Sequence, residues 1–195
     1  CLGWKSDTIK QYFLNYDECL SNNFVLSEGG QSVELLSNDI QDWNITFVDT
    51  GTKSTIGQRL MLAREYLEDD EMFLANYSDG LTDLYLPDLV DFAETHDSVG
   101  TFLAVQPNQS FHAVSIADDG LVTDIAPISA SDVWIDGGYF VFRRSIFDHF
   151  QWGGDLVADC FDRLIAVSKL RAYKYHGFWG CMDTYKDKQR FDDMY

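Results

Sequence analysis

No apolar run in this chain reaches the roughly 18 residues that a membrane-spanning helix needs. Nothing at its start has the charged-then-apolar pattern of a secretory signal. Positive charge is scarce: 14 Lys and Arg stand against 32 Asp and Glu, for a formal charge of −18. That excludes the basic stripe with which proteins hold nucleic acid. It also repels anionic substrates at long range, so phosphate chemistry here needs Mg²⁺ and a few local cations. The four cysteines, Cys1, Cys19, Cys160 and Cys181, form no CxxC pair. No two His or Cys stand at zinc-ligand spacing, and free buried thiols in a reducing cytoplasm are the expectation. Internal repeats, low-complexity tracts and linkers are also lacking. What is present is a globular composition of 195 residues, 46% apolar and 15% aromatic. That is enough for one domain, residues 1–195, with a sizeable core.

Hydrophobic periodicity predicts a succession of strands and helices. Ser6 to Tyr16 reads as a helix capped by Ser6 or Asp7, with Ile9, Tyr12, Phe13 and Tyr16 on one face. Residues 17–31 read as a loop or excursion. Trp43 to Val48 alternates as a strand, and Thr55 to Leu67 is helical. Met72 to Asn76 is a short buried strand, and Leu86 to Thr95 a helix with Pro87 in its first turn. Thr101 to Val105 is a strand. Phe111 to Ile116 and Leu121 to Ile125 form a hairpin across Asp118-Asp119-Gly120. Val133 to Phe142 is a strand broken at Gly137-Gly138. Helices follow at Ser145 to Phe150 and Leu156 to Val167, then a strand at Leu170 to Tyr175 and a helix at Thr184 to Met194. Alternation of this kind implies an α/β domain with a mixed, mainly parallel sheet. Cys1-Leu2-Gly3 reads as the end of a strand, and the chain as a fragment whose fold begins upstream.

The chemistry concentrates at two acidic turns. Asn76-Tyr77-Ser78-Asp79-Gly80-Leu81-Thr82-Asp83 follows the apolar Met72-Phe73-Leu74-Ala75. This leaves Asp79 at a strand's C-terminal edge, where open α/β sheets bind ligands and a carboxylate can hold Mg²⁺ against a phosphate. The same residues also suit an ordinary turn. Asp183, in Phe178-Trp179-Gly180-Cys181-Met182-Asp183-Thr184, is either a helix N-cap or a partner to Asp79 on one metal ion. His112 and His176 have no nucleophile partner at motif spacing. Trp134 and Trp179 suit stacking on a sugar or base and suit a core equally well.

Taken in order, several segments resemble the sugar-nucleotide pyrophosphorylases, most of all the glucose-1-phosphate cytidylyltransferases. They are Cys1 to Lys5, Ile9 to Tyr16, Trp43 to Gly51, Ile56 to Leu60, Tyr77 to Asp83, Trp134 to Val141 and Phe178 to Asp187. The resemblance implies a Rossmann-like nucleotidyltransferase domain in a cytoplasmic homo-oligomer. It implies transfer of a cytidylyl group from CTP to glucose 1-phosphate, with Mg²⁺ as cofactor. Asp79 and Asp183 then match the metal ligands. Arg59 matches a cation on the triphosphate, and Ser54 and Ser78 match nucleotide contacts. Asp136 and Gly137 match a sugar-contacting Asn-Gly. The family's Gly-rich phosphate loop and Pro-Lys-Pro segment fall ahead of Cys1. The chain is therefore expected to be N-terminally incomplete, without its first strand and phosphate loop, and inactive by itself. Two further departures are the lack of Lys after the hairpin, in Asp124 to Ile128, and Asp136 in place of Asn. A non-catalytic nucleotide-sugar-binding or scaffold member, or a pyrophosphorylase for another nucleotide or sugar, is the alternative.

Overall fold

The computed structural model describes residues 1–107 and 111–194. Two compact units emerge: residues 1–66 with 152–155, and residues 67–151 with 156–195. Among the described residues no helix is long and apolar enough to cross a membrane.

The first unit begins with α1 (Ser6–Leu14). Neither Ser6 nor Asp7 caps it. Lys5, in the left-handed region at φ 54°, is the N-cap and makes no side-chain cap bond. The expected aromatic face does form, with Tyr12 edge-on to Phe13 and Tyr16 and Phe13 against Phe47. Residues 17–31 are not a plain loop. They contain α2 (Glu18–Ser21) and β1 (Phe24–Ser27), which pairs antiparallel with β2 (Ser32–Leu35) around Gly29 and Gly30. Those glycines take positive φ, so the pair that looked like a loop signal is a hairpin turn. Trp43 to Val48 forms no strand. Its alternation is sound, but the segment gains only one isolated parallel bridge, between Leu2 and Asp49, and a strand exists only where a ladder of partners completes it. Cys1-Leu2-Gly3 contributes that bridge alone. α3 (Ile56–Ala63) is started by a capping box in which Thr55 and Gln58 exchange bonds, and it tightens into a 3₁₀ turn over Arg64–Leu67.

The second unit is built on a four-stranded sheet of β3 (Met72–Asn76), β5 (Gly100–Val105), β8 (Ile135–Arg143) and β9 (Leu170–Tyr175), in the order β3-β8-β5-β9. Three of these run the same way. The reversed β8 sits between β3 and β5, so the sheet is mixed and β5–β9 is its parallel neighbour pair. The glycines do not break β8. Gly138, at φ 73°, lies beside a register shift opposite Phe102 and Ala104, a bulge that re-aims the strand without ending it. Period-2 alternation divides the sheet into two faces. One carries Leu103, Val105 and Val141, packed with Leu84, Leu89 and Ala93, the last two on α4 (Leu86–Thr95). The other carries Phe73, Phe140 and Phe142, which pack against Phe147 and Phe161. The expected helices at Ser145–Phe150 and Leu156–Val167 are irregular: 3₁₀ over Arg144–His149, π over Leu156–Phe161, then α5 (Asp162–Ala166).

The expected hairpin is present as β6 (His112–Ile116) and β7 (Val122–Pro127). A further two-stranded ladder, not anticipated, joins β4 (Gly80–Thr82) to β10 (Trp179–Cys181), followed by α6 (Tyr185–Asp192).

Candidate functional site

The three co-directional strands end together, so the segments after Asn76, Val105 and Tyr175 share one edge with the start of β8. This is where an open α/β sheet receives ligands. Asp79 occupies the turn after β3 and Asp183 follows β10. The β4–β10 ladder brings those two segments side by side: Cys181 stands opposite Gly80, and the Met182 N–H donates to the Asp79 carbonyl at 2.9 Å. Both carboxylates belong to exposed residues. Asp183 is not the helix cap. Thr184 caps α6 in a reciprocal box with Asp187, and these bonds, the Thr184 side chain first, hold the Asp187 carboxyl below its usual range. Capping therefore consumes Asp187 and leaves Asp183 available.

The environment of Cys181 shows how acidic this corner is. Its thiol donates to Asp183 Oδ2 at 3.1 Å and is pushed up to about 11, first by burial, then by that bond and by the charges of Asp183, Asp187 and Asp79. A protonated thiol is a hydrogen-bond donor and no ligand for a hard cation. No three His, Cys, Asp or Glu side chains form a metal cage among the described residues. Two carboxylates on neighbouring turns without a third suit Mg²⁺, which binds through one or two carboxylates and fills its shell with water and substrate phosphate.

The surrounding backbone is tied down. The Tyr139 hydroxyl donates to the Gly80 carbonyl at 2.8 Å, and buried Trp179 donates from Nε1 to the Gly137 carbonyl at 2.8 Å. Trp179 thus belongs to the core and does not offer a stacking face. Asp83 accepts from the Tyr175 hydroxyl at 2.5 Å and from the Phe178 N–H at 2.8 Å. Asp136 accepts from the Gly138 N–H at 2.8 Å and bonds to Tyr77, but its burial outweighs both and raises its carboxyl. It lines a cavity of about 340 Å³ together with Phe102, Val157, Phe161 and Ile165. Trp134 is covered by Lys174, whose Nζ lies 4.6 Å from the ring centre, and by the His176 ring. Ser78 is exposed in the Asp79 turn, and His112 is exposed on β6.

Arg59 and Ser54 lie in the first unit and share a different constellation. The Arg59 guanidinium donates to Thr50 Oγ1 at 2.7 Å, and the Ser54 hydroxyl donates to the Thr50 carbonyl. Thr50 is buried and donates to the Leu2 carbonyl at 2.8 Å. A Cβ on Gly3 would come within 2.7 Å of the guanidinium, so a larger residue there would push the Arg59 side chain aside.

No family model matches the chain. Over its full length it is 32% identical to the glucose-1-phosphate cytidylyltransferase of Salmonella typhimurium, of which it covers 76%. The chain belongs to the glucose-1-phosphate cytidylyltransferase family. A Bacillus subtilis protein described as a "probable glucose-1-phosphate cytidylyltransferase" is 30% identical, again over the whole chain and 76% of the relative. The structure of HddC from Yersinia pseudotuberculosis, 13% identical, superposes on 99% of this chain and 76% of its own with a TM-score of 0.61. The fold is accordingly that of the Rossmann-like nucleotidyltransferases, and membership of the family makes the protein a nucleotidyltransferase.

Sequence reasoning singled out Asp79 and Asp183 but not the groups that hold them. The signal for Cys181 was readable: residues two apart at a strand's end point to one side, which puts the thiol beside Asp183. Tyr139 and Asp83 act across elements, and no local pattern marks them.

Proposed function

We propose that the protein transfers the cytidylyl group of CTP to glucose 1-phosphate, giving CDP-glucose and pyrophosphate, with Mg²⁺ held by Asp79 and Asp183. The observation that carries this reading is the β4–β10 ladder, which sets the two acidic turns side by side at the ligand-binding edge of the sheet. Mg²⁺ there would supply positive charge to the phosphates of the nucleotide. By the family's motifs, Arg59, Ser54 and Ser78 are the positions expected to contact the nucleotide. Asp136 accepts sugar hydroxyls, with Gly137 beside it at the family's sugar-contacting position. The sugar phosphate oxygen attacks the α-phosphorus as pyrophosphate leaves, so the chain need supply no covalent nucleophile. Its work is orientation and charge neutralisation.

The bonds of Arg59 and Ser54 to Thr50 favour a second reading, a non-catalytic nucleotide-sugar-binding or scaffold member in which these side chains are structural. The test is pyrophosphate release from CTP, glucose 1-phosphate and Mg²⁺ by a polypeptide in which the family's Gly-rich loop precedes Cys1. In the longer form Asp79→Asn is expected to lower the rate about 10²–10³-fold, as for loss of one transition-state electrostatic contact. Release with UTP or dTTP but not CTP would keep the reaction class and remove the cytidylyl assignment. No release with any nucleoside triphosphate and common sugar 1-phosphate would leave the scaffold reading standing.

A further inference from the structure

Asp79 and Asp183 are held in different ways. The Asp79 turn is fixed through its backbone. Its carbonyl accepts from the Met182 N–H at 2.9 Å, and the next residue, Gly80, stands opposite Cys181 and accepts from the Tyr139 hydroxyl. Asp183 lies beyond Cys181, where the ladder ends. Thr184 after it is committed to Asp187 in the α6 cap. The Asp183 carboxylate has one hydrogen bond among the described residues, from the Cys181 thiol to Oδ2 at 3.1 Å. That donor is itself anchored. Trp179, two residues earlier on the same strand, is buried and bonded to the Gly137 carbonyl. Cys181 packs against the cluster that contains Leu84, Leu89 and Leu103. A side chain seated on the core therefore donates to a carboxylate in solvent. An exposed aspartate without such a donor samples several rotamers, and ordering it in advance removes that cost from cation binding.

We infer that Cys181 is a positioning residue for Asp183: its thiol holds one carboxylate oxygen and so presents the group to the divalent cation shared with Asp79. The inference rests on the reading of Asp79 and Asp183 as Mg²⁺ ligands. Groups that orient metal ligands are typically worth about 10–100-fold in metal affinity. A thiol is a weak donor, which places Cys181 at the lower end of that range. Packing alone predicts a different ranking of variants. Cysteine packs as a small apolar side chain, so alanine would then replace it better than serine, whose hydroxyl is costly against an apolar cluster. If donation to Asp183 is what matters, serine replaces it better than alanine.

Binding of Mn²⁺ alone tests this without nucleotide or turnover, read from the electron paramagnetic resonance signal of the free ion. Asp183→Ala is expected to remove one site. Cys181→Ala should weaken that same site about tenfold, and Cys181→Ser should weaken it less. In the Asp183→Ala background, Cys181→Ala should change the remaining Mn²⁺ binding less than twofold, because its partner is already gone. A loss in Cys181→Ser as large as in Cys181→Ala would overturn the inference, as would the same loss with and without the Asp183 carboxylate. Unchanged binding in Cys181→Ala, with the site still lost in Asp183→Ala, removes the positioning role and leaves the metal reading standing. Unchanged binding in Asp183→Ala removes both.

Discussion

Residues 1–66 and the four-stranded sheet unit are held together by different forces. In the sheet unit, Leu89, Leu103 and Phe142 are fully buried, and both faces of the sheet are covered by apolar side chains. Among the described residues, Leu2 is the one large apolar side chain of the first 66 that is buried, while Trp4, Leu20 and Trp43 are more than half exposed. That region relies on polar tethers. The Glu18 carboxylate accepts from the Asp39 and Ile40 N–H groups at 2.9 Å each, and Asp17 accepts from the Cys19 N–H. Each such bond contributes about 1 kcal/mol, whereas full burial of a Phe or Leu contributes about 1.5–3. The comparison teaches that similar apolar content yields a core only where two faces meet.

The largest effect should separate the regions most plainly. Phe142→Ala should cost about 3–5 kcal/mol, and Leu20→Ala about 0.5 or less, read as shifts in urea midpoint. Equal losses would break the comparison. Thiol chemistry should divide along the same line. Cys1 is exposed, whereas burial pushes the Cys160 thiol up to about 11, as burial and carboxylates do for Cys181. A raised value means less thiolate at a given pH. At pH 8 iodoacetamide should therefore label Cys1 roughly a hundredfold faster than either, by mass spectrometry. The difference should shrink as pH rises toward 11.

Glycines sharpen the contrast. Gly29 and Gly138 share a positive φ, but a Cβ on Gly29 meets open space, while one on Gly138 would come within 2.7 Å of the Tyr77 ring. Gly29→Ala should cost about 1–2 kcal/mol for the backbone alone. Gly138→Ala should cost more, because Tyr77 must also move, and thermal unfolding of the pair gives the difference. The smallest effect belongs to a single tether. Glu18→Gln should lose about 1 kcal/mol and speed hydrogen exchange at Asp39 and Ile40 without altering exchange in β5 or β8. Faster exchange in the sheet would show that the tether stabilises more than its own region.

Legibility followed the same division. Met72–Asn76, Leu86–Thr95 and Leu170–Tyr175 were read residue for residue, because each is a strongly patterned segment inside a packed layer. Trp43–Val48 has an equally good strand pattern and made no ladder, while residues 17–31 looked polar and supply one strand of a hairpin. Asp79 and Asp183 were legible as carboxylates at strand-to-turn junctions, but their being neighbours was not. Neither was the choice of Thr184 over Asp183 as the cap, since both residues are good caps and only the turn's geometry selects between them.

The sequence by itself determined which segments are apolar on one face or both, where the acidic turns fall, and the family to which their order belongs. These follow from local periodicity and side-chain chemistry, which travel with the chain. Only the tertiary structure decided that β4 and β10 pair and that Cys181 donates to Asp183. Those are contacts between residues distant in sequence or on separate elements. Their energies depend on distance and burial, and neither exists until the chain has closed on itself.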